Sequence, residues 1–82
     1  MSAAETVRRL AAERLELPAA RLEAANSLRE AGIDSLAAID LIVAIEERLA
    51  ISFPEHDLES IRSFDDLAAA VERLLAEKNA AS

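Results

Sequence analysis

Apolar residues recur at helical spacing in three stretches of this chain. The first runs from Ala3 to Leu15, the second follows Ser35 as far as Leu49, and the third runs from Phe64 to Leu75. A repeat of about 3.6 residues is typical of helices that bury one face. The pattern therefore predicts three amphipathic helices. A shorter helix is expected between the second and the third, from His56 to Ile61.

The connection between the first two long helices covers residues 16–33. Pro18 is expected to stop the first helix, and Asn26 with Ser27 favours a turn or a short helical turn around Leu28. A structureless loop of this length would be unusual in so small a domain. We therefore predict a long loop that apolar side chains hold against the core. These side chains are Leu22, Leu28 and Ile33.

Polar residues indicate how the last two helices begin. Asp57 is a candidate cap for the short helix, in which Leu58 and Ile61 are expected to point inward. Ser63 and Asp66 have the spacing of a capping box, here with an aspartate in the acidic position. This pair predicts the start of the final helix.

The second predicted helix is apolar on two faces. At about 100° per residue, one face forms a broad core stripe. This stripe contains Ala38, Leu41, Ile42, Ile45 and Leu49. The opposite side holds Leu36, Ile39 and Val43, bordered by Asp40, Glu46 and Glu47. A helix in so small a domain can hardly be buried on every side, so we predict that the second face binds partner proteins.

Composition favours an all-α fold. Ala, Leu, Glu and Arg dominate the 82 residues, which include one glycine and two prolines. We expect a single domain over residues 1–82, ordered over about 3–77 and frayed over 79–82. The predicted fold is a small four-helix bundle with a long first loop and a short third helix. Its predicted core contains Val7, Leu10, Leu41, Ile45, Leu49, Phe64, Leu67, Val71 and Leu74.

Charge restricts the partners that this chain can bind. The net charge is −7, and the excess of acidic residues lies almost entirely in residues 35–82. Nucleic acid is not an expected partner, because binding phosphates needs a basic surface. Basic enzyme surfaces are the natural complement. No run approaches the roughly 18 apolar residues of a membrane span, and no secretion signal opens the chain, so we expect a cytoplasmic protein.

Ser35 is the candidate for covalent chemistry. Asp34 and Ser35 are both good N-cap residues, and a helix N-terminus offers free N–H groups to a phosphate. Gly32 is expected to supply a positive φ or a tight turn just before the helix. The alternative is a serine that only caps its helix.

Four segments of this chain resemble a known protein family. The resemblance covers nearly the whole chain and is weakest over residues 1–20. Gly-Ile-Asp-Ser-Leu at 32–36 resembles the attachment motif of acyl carrier proteins. Later segments also resemble that family at the expected spacing. They are Ala-Ile-Glu-Glu-Arg-Leu at 44–49, Ile-Ser-Phe-Pro at 51–54 and Ser-Ile-Arg-Ser-Phe-Asp-Asp-Leu at 60–67.

The resemblance implies a function for these residues. Ser35 would carry a 4′-phosphopantetheine arm derived from coenzyme A, with Gly32, Asp34 and Leu36 forming the surrounding site. The chain has no cysteine, so the sulfur of a thioester would have to come from this arm. Partners would be a phosphopantetheinyl transferase, a loading ligase and downstream synthases or transferases with basic docking surfaces. They would dock on Leu36, Ile39, Asp40, Val43, Glu46 and Glu47. A monomer with no metal site is expected.

Three alternative functions can be compared with an acyl carrier, and two of them belong to other classes of protein. An esterase would share part of the Gly-Ile-Asp-Ser-Leu segment, but it needs a histidine base and a sheet, and the only histidine, His56, is expected at the surface. An unmodified interaction bundle would use only the second apolar face. An aminoacyl or peptidyl carrier is closer, although Asp34, where such carriers more often have histidine, favours the acyl type.

The expected pathway is fatty-acid, polyketide or related specialised synthesis. Ala37 and Arg48 depart from the acidic pattern of fatty-acid carriers, whereas Asp40, Glu46 and Glu47 match it. The departures favour a dedicated pathway, including one that uses aminoacyl cargo.

Overall fold

Helices make up most of residues 2–81, the part of the chain that the computed structural model describes. Within these residues there is no strand, so the prediction of an all-α fold is confirmed. The bundle contains α1 (Ala3–Leu15), α2 (Ala19–Ala24), α3 (Ser35–Leu49), α4 (Glu55–Ser60) and α5 (Phe64–Ala81). No helix in this part of the chain is both long and apolar enough to cross a membrane.

The first helix has the predicted bounds but not the predicted stop signal. Ser2 Oγ accepts a hydrogen bond from the Glu5 N–H at 3.1 Å and caps the N-terminus of α1. At the other end Glu16 adopts the left-handed conformation, with φ 55°, and its N–H bonds to the Ala12 carbonyl. Pro18 lies beyond this turn and is the N-cap residue of α2. The prediction that Pro18 stops α1 is therefore wrong, because α1 has already ended.

The long loop contains a helix that the pattern did not predict. In α2 a single buried side chain, Leu22, is only 1% exposed and holds the helix against the core. The other two predicted anchors, Leu28 and Ile33, are also buried, so all three anchors are confirmed. Residues 26 and 27 form a bend and residues 28–32 form turns, in agreement with the turn that Asn26 and Ser27 indicated. The Leu28 N–H donates to the Arg62 carbonyl at 3.0 Å, which ties this loop to the α4–α5 connection.

The core lies between α1, α3 and α5. Eight of the nine predicted core side chains are buried, and Leu49 is half-buried against them. The buried eight are Val7, Leu10, Leu41, Ile45, Phe64, Leu67, Val71 and Leu74. Burial of apolar surface on this scale is the main force that holds a small helical domain together.

The short helix α4 is present where the sequence predicts it, but its cap and its orientation differ from the prediction. It begins at Glu55 after Pro54, and Asp57 does not cap it. Instead Asp57 is buried and accepts a hydrogen bond from the Arg73 guanidinium of α5. Leu58 was expected to point inward but is 41% exposed. The ion pair explains why α4 turns Asp57 and not Leu58 toward the core. A buried carboxylate needs a cationic partner, and Asp57 meets Arg73 of α5.

The last helix begins as predicted and ends later. Ser63 Oγ accepts a hydrogen bond from the Asp66 N–H at 3.0 Å, which confirms the capping residue. The Asp66 carboxylate accepts from the Arg62 N–H, one residue before the position that a capping box would use. The helix then continues through Ala81. The predicted fraying of 79–82 stays a prediction, and Ser82 lies outside the described residues.

Candidate functional site

The two polar residues at the N-terminus of α3 have different roles in the structure. Asp34 is the N-cap, and its Oδ1 accepts a hydrogen bond from the Ala37 N–H at 2.8 Å. Ser35 is the first residue of the helix and is exposed. Within residues 2–81 its hydroxyl has no hydrogen-bond partner, because Asp34 already caps the helix. The Ser35 hydroxyl is therefore free to react.

A short turn delivers Ser35 to this position. Gly32 has φ +86°, a backbone conformation that side-chain-bearing residues rarely adopt, and the predicted positive φ is confirmed. Its N–H donates to the Arg29 carbonyl at 2.9 Å, and the Ile33 N–H donates to the Leu28 carbonyl at 3.0 Å. Ile33 is buried between the turn and the helix. The turn is therefore anchored two residues before the serine.

The second apolar face of α3 is exposed along its whole length. Leu36, Ile39 and Val43 are 79%, 59% and 39% exposed, whereas Leu41 on the core side is 1% exposed. We call these three residues the outer face of α3. Their exposure agrees with the sequence prediction that folding does not use them.

The three carboxylates beside the outer face have different surroundings. Asp40 accepts two hydrogen bonds from the Arg14 guanidinium of α1, at 2.9 and 3.1 Å. The hydrogen bond to Asp40, and then its negative charge, raises the pKa of Arg14. Glu46 is half-buried and accepts from the Phe53 N–H at 2.8 Å. Asp40 and Glu46 thus have partners within the protein, and their predicted part in docking stays a prediction.

Glu47 is the third of these carboxylates. It is exposed, and within the described residues it forms no hydrogen bond or ion pair, although its charge also acts on Arg14. Its carboxylate is therefore the one beside the outer face that remains available to a partner.

Ser35 also lines a surface groove that the sequence pattern did not predict. Leu28, Ala38 and Ile61 contribute apolar surface to this groove, and Arg29 and Arg62 contribute charge. The two arginines are far apart in sequence and line the same groove, next to the hydrogen bond that ties the loop to the α4–α5 connection. No spacing rule could have paired them.

Comparisons with known proteins agree with this geometry. A family model described as a phosphopantetheine attachment site matches residues 5–71. Acyl carrier protein 3 of Ralstonia nicotianae is 30% identical over 77 residues, which cover 93% of this chain and 88% of that protein. The acyl carrier protein of Campylobacter concisus is 30% identical over 76 residues, covering 90% and 97%. The chain therefore belongs to the acyl carrier protein family of phosphopantetheine-binding proteins.

Membership defines the class of function. Proteins of this family are carriers and not catalysts, and they bear 4′-phosphopantetheine as a covalent group. A phosphopantetheinyl transferase attaches the group, and partner enzymes act on the loaded carrier. The predictions of a carrier role and of this cofactor are confirmed, and the esterase and the unmodified interaction bundle are set aside. The exposed, unbonded hydroxyl of Ser35 fits attachment of such a group. The predicted surface position of His56 is also confirmed, because 76% of its side-chain surface is accessible.

Proposed function

We propose that Ser35 carries the arm and that the protein holds an acyl group as a thioester for enzymes of a biosynthetic pathway. The observation that carries this proposal is the exposed and unbonded Ser35 hydroxyl at the first residue of α3. It lies inside the segment that the phosphopantetheine family model matches. When bound, the arm supplies the thiol that this cysteine-free chain lacks.

Attachment requires little of the chain itself. The Ser35 oxygen would form a bond to the phosphorus on the pantetheine side of coenzyme A, while the phosphoanhydride bond breaks and adenosine 3′,5′-bisphosphate leaves. The serine proton would pass to a base on the transferase, which would also provide Mg²⁺. This chain contributes an accessible hydroxyl at a fixed place. Asp34 supports that role because it satisfies the helix N-terminus in place of Ser35.

Partner enzymes are proposed to dock on the outer face of α3. Leu36 directly follows Ser35, so a protein bound there would have its active site close to the cargo. Apolar contact would hold the complex, and Glu47 would speed the encounter with a basic surface. A fatty-acid, polyketide or related pathway fits such a carrier. The relatives are named acyl carrier proteins, which favours acyl over aminoacyl cargo.

The experiment is modification of the purified chain by a broad-specificity phosphopantetheinyl transferase with coenzyme A and Mg²⁺. We expect the wild type to gain the mass of one arm and Ser35→Ala to gain none. Ser52→Ala is the matched control, because Ser52 is also exposed and has no hydrogen-bond partner in the described residues. Circular dichroism shows whether each variant is folded. Modification of folded Ser35→Ala would contradict the proposal.

A further inference from the structure

The groove that contains Ser35 is basic, although the protein as a whole is acidic. The chain has 16 acidic and 9 basic residues, yet Arg29 and Arg62 both line this one groove. The acidic residue in the groove is Asp34, and its Oδ1 already accepts a hydrogen bond from the Ala37 N–H. The side chains that line this groove thus carry a net positive charge, opposite in sign to the net charge of the chain.

Neither arginine side chain has a carboxylate partner among residues 2–81. Arg14 and Arg73 form ion pairs, with Asp40 and Asp57 respectively. By contrast, Arg29 and Arg62 form no side-chain hydrogen bond or ion pair in the described part of the chain. Asp66 does bond to Arg62, but through the backbone N–H and not through the guanidinium. Both guanidinium groups therefore keep their donors for another anion.

The backbone fixes these two arginines relative to one another. The Leu28 N–H donates to the Arg62 carbonyl at 3.0 Å, so the residue before Arg29 is bonded to Arg62 itself. Leu28 is buried, and the Ile33 N–H also bonds to its carbonyl. The two side chains thus start from a fixed spacing beside Ser35. Guanidinium groups bind phosphate oxygens through paired N–H donors, which a single lysine cannot match.

We infer that Arg29 and Arg62 form an anion site for the group bonded to Ser35, and that its occupant is the phosphodiester of the arm. This inference rests on the proposed attachment at Ser35. A phosphate bonded directly to the serine oxygen has its charged oxygens at the groove. A carboxylate on the cargo could reach the groove only if the arm folded back on itself. The phosphodiester is therefore the favoured source of the negative charge.

The site has a consequence for the direction of the arm. Ala38 lines the groove, and at about 100° per residue it lies on the side of α3 opposite Leu36. A phosphodiester held by Arg29 and Arg62 keeps the base of the arm on that side. The outer face of α3 then stays uncovered for a partner enzyme.

The test compares apo and holo protein for the wild type and for the double variant that combines Arg29→Gln and Arg62→Gln. Arg9→Gln is the control, because Arg9 is exposed, unpaired in the described residues and in a different groove. We expect the Nε–H signals of Arg29 and Arg62 in nuclear magnetic resonance spectra to shift between apo and holo protein. The ³¹P signal of the holo double variant should differ from that of the wild type, and Arg9→Gln should leave it unchanged. The ³¹P signal of holo Arg62→Lys should lie between the signals of the wild type and the double variant.

The outcomes separate the inference from the function on which it rests. The mass of one arm on Ser35 is measured first, and its absence would overturn both. If the arm is present but neither arginine signal moves, the inference alone is overturned. Holo protein is then loaded with butyryl or succinyl groups of equal chain length. Arginine shifts that occur only with succinyl cargo would assign the anion to the cargo carboxylate and overturn the phosphodiester assignment.

Discussion

The carboxylate of Glu46 accepts a hydrogen bond from the backbone N–H of Phe53 at 2.8 Å. Between these residues α3 ends at Leu49, and Ala50 turns the chain in the left-handed conformation with φ 56°. The bond fixes the return of the chain so that Phe53 enters the core, where it is 7% exposed. An acidic side chain beside the outer face of α3 therefore supports the fold.

Replacing Glu46 with alanine should destabilise the protein. The Phe53 N–H would lose its acceptor next to the core, and an unsatisfied donor costs about 1–3 kcal/mol. Glu46→Gln keeps an acceptor oxygen and should recover part of the loss. Glu47→Ala is the control and should change the free energy of unfolding by less than about 0.5 kcal/mol. Urea unfolding measures all three variants, and equal stability of Glu46→Ala and Glu47→Ala would contradict a structural role for Glu46.

The two faces of α3 should differ sharply in their contribution to stability. Leu41→Ala removes a buried side chain and should cost about 2–5 kcal/mol. Leu36→Ala makes the same chemical change at a site that is 79% exposed, and should cost less than about 0.5 kcal/mol. Thermal and denaturant unfolding test the pair. A large loss for Leu36→Ala would mean that folding uses the outer face.

Docking should depend on the outer face and on Glu47. Ile39→Ala should slow cargo transfer by a cognate partner without lowering the melting temperature. Glu47→Lys should slow association at low salt and weaken its salt dependence, because screening removes the same attraction. Glu72→Lys makes the same charge change on an exposed site of α5 and serves as the control. Transfer rates at low and high ionic strength are the measurement, and equal effects of the two lysine variants would place docking elsewhere.

The pair of Asp57 and Arg73 should fix α4 on α5. The Asp57 side chain is 8% exposed, so Arg73→Met leaves a buried charge without its main partner. We expect Arg73→Met to lower the melting temperature more in the wild type than in an Asp57→Asn background. Glu77→Gln removes only the weaker contact of Arg73, at 3.8 Å, and is the control. Equal losses in both backgrounds would show that the ion pair does not hold α4.

Long helices with clear apolar stripes could be predicted from the sequence. Of the short helices, α2 was not predicted, and for α4 the position was predicted but the orientation was not. The bounds of α1 and the core stripe of α5 follow from local periodicity. In α2 one buried leucine, Leu22, decides the structure, which is too little for a periodic signal. The orientation of α4 depends on Arg73, which lies 16 residues after Asp57.

The same limit applies to the candidate site. The serine at the start of α3, the turn at Gly32 and the outer face of α3 are local features, and the sequence predicts each of them. The partners of Asp40 and Glu46 are not local, because Arg14 and Phe53 reach them through the packing of helices and the return of the chain. The basic groove likewise involves a non-local contact, the hydrogen bond from the Leu28 N–H to the Arg62 carbonyl.

Attachment at Ser35 is tested most directly by mapping the modification on protein purified from its native cells. Trypsin cleaves after Arg29 and after Arg48, and Ser35 is the only hydroxyl-bearing residue in the peptide 30–48. We predict one phosphopantetheine mass per chain, carried by that peptide and assigned to Ser35 by fragmentation. A phosphopantetheine mass on any other peptide, or a chain that carries none, would contradict the account.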